Sequence, residues 1–221
     1  MQISPQTLAV LKNFSTLNQN LVINSGSKIE TTSTAKDVIA TFEATETFSD
    51  QLAIYNMNEF LGVMSAFDVP ELALNPKYVK ISQGKQFVNY VYAEPELLIT
   101  PPAKGYTFSD IKVTFNLGDS VLAKVLKMSN ILSAPDLSFI GDGSTVSIKV
   151  YDKKNPSASV FEFDTSEPTS ENFQINIKID KMKFMTGSYT VDLSSKKAAR
   201  SSHQTIKLLY VVAVEKDSSF V

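Results

Sequence analysis

The chain has 221 residues and a formal net charge of −2, with one histidine, no cysteine and no tryptophan. That composition excludes a disulfide framework, a thiolate zinc site, a cysteine nucleophile and a His-rich metal centre, so no metal or cofactor is expected. It also excludes a uniformly basic nucleic-acid coat, while 43% hydrophobic and 20% charged residues are the proportions of a soluble globular protein.

In chain order, Ser4-Pro5 opens a helix running to about Asn18, with Ser4 as N-cap and Pro5 in the first turn. Met57 to Phe67 reads as a second, short helix, and Gln86 to Tyr92 as an aromatic and β-branched strand. Glu94 to Ser109, with Pro95, Pro101, Pro102 and Gly105, reads as a linker. Ile111, Val113 and Phe115 alternate with polar residues, and Leu117-Gly118 leads into a third helix over Asp119 to Ser133. Gly141-Asp142-Gly143 marks a tight hairpin. Period-two alternation returns at Val146-Ile148-Val150, Phe161-Phe163 and Phe173-Ile175-Ile177-Ile179, the mark of half-buried antiparallel strands. Asp180 to Met185 is predicted as a fourth helix, stopped by Gly187, and Thr205 to Glu215 as a last long strand.

These elements repeat. Val10-Leu11-Lys12 matches Val125-Leu126-Lys127, and Met57-Asn58-Glu59-Phe60-Leu61 matches Lys181-Met182-Lys183-Phe184-Met185. Each half then reads as a long helix, several strands, a short helix and further strands, the second half carrying a longer polar loop between Asp152 and Asn172. The expected division is an N-terminal domain over 1–105, including the linker from about 94, and a C-terminal domain over 106–221.

Charge is unevenly spread. Residues 1–100 hold 6 lysines against 10 acids, and residues 101–221 hold 15 bases against 13 acids. On a helical wheel the first helix turns Val10, Phe14 and Leu17 one way, and Lys12, Asn13 and Thr16 the other, with no acid among them. The third sorts Leu122, Val125 and Leu126 from Ser120, Lys124, Lys127 and Asn130, and its only acid is Asp119 at the start. The segment from Asp180 carries Lys181 and Lys183 after Lys178. Such faces suit sequence-independent attraction to phosphate, and lysine, a mobile point charge, does not fork onto base edges. A solvated face that merely lacks acids is the plainer alternative.

Other signals do not assemble into chemistry. There is no G-x-S-x-G around His203, no P-loop and no dinucleotide fingerprint, so no catalytic residue is expected. Glu94 and Glu96 flank a proline in the linker. Lys196, Lys197 and Arg200 read as a hairpin tip whose contact with DNA stays open. Leu97-Leu98-Ile99 reads either as a docking loop or as a buried strand. The apolar run Leu208 to Val214 is too short to span a bilayer and no signal peptide opens the chain, which makes the cytoplasm the expected compartment.

Three stretches carry a family resemblance: Thr7 to Phe14 with Asn24-Ser25-Gly26, Leu52 to Gly62, and Tyr210 to Ser218. They resemble the sliding clamps of myoviruses related to the T-even phages; the stretch from Val69 to Lys112 is poorly matched. The resemblance implies an α+β chain of two similar clamp-type domains, each an antiparallel sheet with two helices on one face. It implies a homotrimeric ring around duplex DNA, without enzymatic activity, that tethers the replicative polymerase. It further implies loading by an ATP-driven clamp loader, a role as mobile activator of late transcription, and the infected host cytoplasm as location. On that reading Lys12, Lys124, Lys127, Lys181 and Lys183 line the hole. A virion structural or adaptor protein of β-sandwich domains is the alternative.

Overall fold

The computed structural model describes residues 1–103 and 105–221; residue 104, inside the segment read as a linker, lies outside the described residues. The chain forms two compact units, Met1–Gly105 and Tyr106–Val221.

The first unit opens with α1 (Pro5–Leu17), where the Ser4 side chain accepts the Thr7 amide at 3.2 Å. The helix buries Thr7, Val10, Leu11, Phe14 and Leu17, the stripe predicted from period 3.6. Glu46 reaches its first turn from β3, accepting the Ser4 amide and the Thr7 hydroxyl. Burial raises the Glu46 pKa, but these hydrogen bonds outweigh it and hold the carboxyl below its usual value. Strands β1 (Leu21–Ile23), β2 (Gly26–Thr32), β3 (Val38–Phe48) and β4 (Leu52–Ile54) follow, with β1 pairing β4 and β2 pairing β3, all antiparallel. The β2–β3 turn is closed by Ser33, whose hydroxyl oxygen accepts the Asp37 and Val38 amides.

Helix α2 (Met57–Ser65) is capped by Asn56, which accepts the amides of Asn58 and Glu59. The meander β5 (Glu71–Leu74), β6 (Tyr78–Gln83) and β7 (Gln86–Val91) packs on it through Tyr90, edge-on to Phe60 at 5.4 Å between centroids. Phe60 is fully buried, so truncation to alanine costs about 3–5 kcal/mol. Beyond a single 3-10 turn (Pro95–Leu97), the connecting chain is tied to the end of α1 by a reciprocal pair. Asn18 Nδ2 donates to the Ile99 carbonyl at 3.0 Å, and the Ile99 amide donates to Asn20 Oδ1 at 3.1 Å. Within Leu97-Leu98-Ile99, Leu98 is buried while Leu97 is 79% exposed, so that segment is neither a strand nor wholly a loop.

The second unit contains β8 (Ile111–Leu117), α3 (Asp119–Leu132), β9 (Asp136–Asp142), β10 (Thr145–Tyr151), β11 (Phe161–Pro168), β12 (Asn172–Lys178), β13 (Tyr189–Ser194), β14 (Ala198–His203), β15 (Leu208–Ala213) and β16 (Ser219–Phe220). Strands β8, β13, β14 and β15 run side by side in one antiparallel array, and β11, β10, β9, β12 and β16 form another. Most of the alternating residues predicted to face inward do so: Val113, Phe115, Val146, Ile148, Val150, Phe173, Ile175 and Ile177 are buried, whereas Phe161, Phe163 and Ile179 are half-buried and Ile111, at the start of β8, is exposed. Phe115 meets Phe139 edge-on at 5.2 Å. The Gly141–Gly143 hairpin turns as expected, its Asp142 carboxylate accepting the amides of Ser144 and Thr145. The stretch from Asp152 to Asn172 is not all loop, because β11 lies within it.

One predicted element is different. Asp180 to Met185 is not a helix; it is a 3-10 turn (Ile179–Lys181) followed by irregular chain. Six residues between a strand end and a glycine form too few i→i+4 bonds to offset helix nucleation. The local backbone groups are also taken elsewhere. The Met185 amide donates to Tyr210 Oη at 3.1 Å, and Tyr189 Oη donates to the Met185 carbonyl. Phe184 stacks on Tyr210, with centroids 4.5 Å apart. Burial pushes the Tyr210 phenol pKa up to about 12, so it stays a neutral donor and acceptor at any working pH. The α+β class with antiparallel sheets stands, but the second unit carries one α-helix where two were expected.

Candidate nucleic-acid interface

The expected DNA-facing lysines fall into two groups. Lys12 on α1 and Lys124 and Lys127 on α3 are exposed, and none of them is in an ion pair among the described residues. Their helices supply almost no competing acid. α1 has none, and the single acid of α3, Asp119, sits at the positive N-terminal end and accepts the Gly187 amide at 2.8 Å. The hydroxyls of Ser15 and Thr16 fold back onto the carbonyls of Lys12 and Asn13, so they add little to that face.

Lys181 and Lys183 are placed otherwise than a helical reading expects. Lys181 lies in the 3-10 turn, its side chain only 14% exposed, with Nζ 3.0 Å from Glu215 and 3.1 Å from the Ala213 carbonyl. An ammonium held this way must give up these partners before it meets phosphate. Lys183 follows in irregular chain and is exposed. Lys178 pairs with the buried Asp136, and that hydrogen bond holds its pKa above the ordinary lysine value. Lys196 donates to Ser109 Oγ at 3.0 Å, and Lys197 donates to backbone carbonyls at Lys216 and Ser218. Arg200 forks onto Asp192 through Nε at 3.0 Å and Nη2 at 2.7 Å and stacks on Phe108 at 4.8 Å. Arg200 therefore joins β14 to β13, while Lys196 and Lys197 tie the hairpin tip to Ser109 and to the C-terminal segment.

His203 is structural. Its ring contacts the Thr186 carbonyl through Nε2, takes the Thr205 amide on Nδ1 and packs edge-on to Tyr189 at 5.0 Å. Among the described residues no group of three or more His, Asp or Glu could hold a metal ion, and no helix is long and apolar enough to cross a membrane.

A groove of about 430 Å³ runs beside α3, lined by Leu122, Ala123, Leu126, Ile131, Phe184 and Lys127 among others. Ile131, 63% exposed, stands on the polar face of α3, between Ser120 and Lys124 on the helical wheel, so the apolar arc of Leu122, Val125 and Leu126 does not include it.

Comparison with solved structures defines the class. A. fulgidus PCNA, solved bound to the C-terminal region of FEN-1, superposes with a TM-score of 0.74 over 99% of this chain and 98% of that one, at 12% identity. The DNA polymerase III subunit beta sliding clamp of Bartonella birtlesii gives 0.73 over 96% of this chain and 63% of that one, again at 12% identity. The fold is that of a DNA sliding clamp, and the alternative of β-sandwich virion domains is not favoured.

Within that class the chain resembles the sliding clamps of T-even-type myoviruses over nearly all of its length. It is 28% identical to the sliding clamp of Vibrio phage KVP40, covering 97% of this chain and 99% of that one. It is 26% identical to that of Enterobacteria phage T4, covering 99% of each. No family model matches the chain.

Proposed function

We propose that the protein is a non-enzymatic sliding clamp: three copies close head to tail around duplex DNA and tether the replicative polymerase for processive synthesis. The observation that carries this reading is the pair of outward helix faces of α1 and α3. Each presents lysines without carboxylate partners, on a clamp fold whose total charge is negative. A topological link needs little affinity, so a few mobile, salt-screened contacts suffice and a tight grip would impede sliding. With two units per chain, three chains give six units around the ring.

Lys12, Lys124 and Lys127 are the cations we assign to the lining, with Lys181 and Lys183 joining only if their present contacts open. We extend the reading to loading by an ATP-driven clamp loader, to a role as mobile activator of late transcription and to the infected cell's cytoplasm. All three follow from likeness to the phage clamps.

The test is synthesis by the cognate polymerase and loader on a primed closed circle and on the same template linearised. A clamp raises product length on the circle and is lost from open ends. Equal stimulation of both templates, or none of either, overturns the reading.

A further inference from the structure

The groove beside α3 follows one stripe of the helix. Leu122, Ala123, Leu126, Lys127 and Asn130 recur turn by turn along it, over about 12 Å of helix axis. Phe184 and Met185 form the other wall. A volume of about 430 Å³ is at the small end for a ligand site and holds a few apolar side chains.

The interior is apolar and the rim is basic. Leu122 is buried, Leu126 is half-buried and Ile131 is exposed at one end. Lys127 is exposed and makes no ion pair among the described residues, and exposed Lys183 immediately precedes Phe184. The one acid of the lining, Asp119, lies at the other end of the stripe, its carboxylate accepting the Gly187 amide. Neither chain end covers the groove. Met1 is bonded to Leu72 and Val221 to Asn172.

We propose that this groove docks a short amphipathic helix of a partner protein, apolar where it enters the groove and acidic where it passes Lys127, and that this helix and DNA exclude each other. The exclusion rests on the reading above that Lys127 faces DNA; the docking does not. The lining selects peptide over nucleobase. A base binds by stacking on an aromatic face. The only aromatic of the lining, Phe184, is already stacked on Tyr210 at 4.5 Å, and the remaining apolar walls are aliphatic side chains and Met185. Such walls suit the leucine, isoleucine or methionine anchors that a helix presents at i, i+4 and i+7. Carboxylates beside those anchors complement Lys127, which steers encounter and rejects basic sequences. One ammonium cannot serve a carboxylate and a phosphate together, so the partner belongs to the clamp before it encloses DNA.

The experiment titrates the full chain with fluorescent probes, read by anisotropy. The probes are a synthetic helical peptide of about 14 residues with leucines at i, i+4 and i+7 among glutamates, its twin with lysine for every glutamate, and a thymidine oligonucleotide of about 10 residues. The acidic peptide is expected to saturate below about 1 mM and the lysine twin to bind at least about fivefold more weakly. Ala123→Phe fills the groove from an exposed position and is expected to weaken the acidic peptide at least about tenfold, and Ile131→Ser at least about threefold. Lys127→Glu is expected to reverse the preference between the two peptides. Circular dichroism melts check that each variant folds. No saturable binding of the acidic peptide, or folded groove variants that bind it as wild type does, overturn the docking. Groove-dependent binding of the oligonucleotide alone, or loss of assembly in Ala123→Phe by light scattering, also overturns it by assigning the groove to nucleic acid or to a second copy. The acidic peptide is then titrated onto clamp loaded on a closed circle, where it is expected to bind at least about fivefold more weakly than to the chain off DNA. Equal binding on and off DNA overturns the exclusion and removes Lys127 from the lining while the docking stands; failure of the docking alone leaves the lining intact. A chain that cannot be loaded overturns the ring reading and the exclusion with it, and the peptide titrations decide the docking regardless.

Discussion

The ammonium of Lys124, on the outward face of α3, lies 5.8 Å from the ring centroid of Phe163 on the edge strand β11 and 5.9 Å from that of Phe161. A cation over an aromatic face is worth about 0.5–1 kcal/mol at an exposed site. Lys124 thus serves two surfaces at once, the helix face assigned to DNA and the edge strand β11. Lys127, one turn on, touches only the first.

The two lysines are therefore separable. Lys127→Glu is expected to reduce the salt dependence of DNA association by about one unit of slope and to leave assembly unchanged. Lys124→Glu is expected to do the same and also to lower stability by about 0.5–1 kcal/mol, through loss of its contact with Phe161 and Phe163. Lys124→Glu with Lys127→Glu together should shorten products on a primed circle while the melting temperature stays within a few degrees of wild type. Full-length products at physiological salt would remove both lysines from the lining.

Gly187 has φ +146°, and a Cβ there would collide with the imidazole of His203. Gly187→Ala is expected to cost about 2 kcal/mol or more, from backbone strain and displacement of the ring. Adding His203→Ala should return part of that loss, because it removes the collision and leaves the strain. Thermal or urea unfolding of the two variants decides the point; no recovery in the double variant would mean that strain alone sets the cost.

Glu46 makes the start of α1 sensitive to acid. Its folded pKa lies below the unfolded value, since burial, which raises it, is outweighed by hydrogen bonds from Ser4 and Thr7. The stabilisation is therefore complete above the unfolded pKa and is lost as pH falls through the depressed folded value. Glu46→Gln should lower stability at neutral pH by roughly 0.5–1 kcal/mol, allowing for solvent screening, and flatten the acid limb of the stability profile. Amide exchange of the first turn of α1, followed between neutral and acid pH, reads the effect directly.

Arg200 is the only arginine in the chain, and it is spent on Asp192 and Phe108. Arg200→Lys keeps the charge but loses the fork and the stacking, at an expected cost of about 1–3 kcal/mol. Because the side chain is engaged in the second unit, DNA-dependent processivity should change no more than stability does.

Much of this architecture was readable from local pattern. Ser4-Pro5 marks a helix start because the capping geometry is written into two adjacent residues, and the alternation of Phe173, Ile175 and Ile177 marks a strand with one face inside. The segment after Lys178 was misread because its fate depends on Tyr189 and Tyr210, distant in sequence, which bind the backbone of Met185. The lysine sites divide in the same way. Lys12, Lys124 and Lys127 take their exposure from helical spacing alone. The engagement of Lys181 depends on Glu215, and nothing in the local sequence announces a partner 34 residues away. The repeat is likewise visible in Val10-Leu11-Lys12 and Val125-Leu126-Lys127, both on long helices, but not in the second matched pair, where one copy is helix and the other is not.

The reciprocal bonds between Ile99 and the asparagines Asn18 and Asn20 bear on how the connector can change length. Both the amide and the carbonyl of Ile99 are pinned to the end of α1, so an insertion before it would pull the two partners out of register. Beyond Ile99, among the described residues, no such tie is made by Thr100, Pro101 or Pro102 to α1. Related chains with longer or shorter connectors should therefore differ after this residue, while an asparagine pair at the helix end and the spacing from it to the pinned peptide are kept.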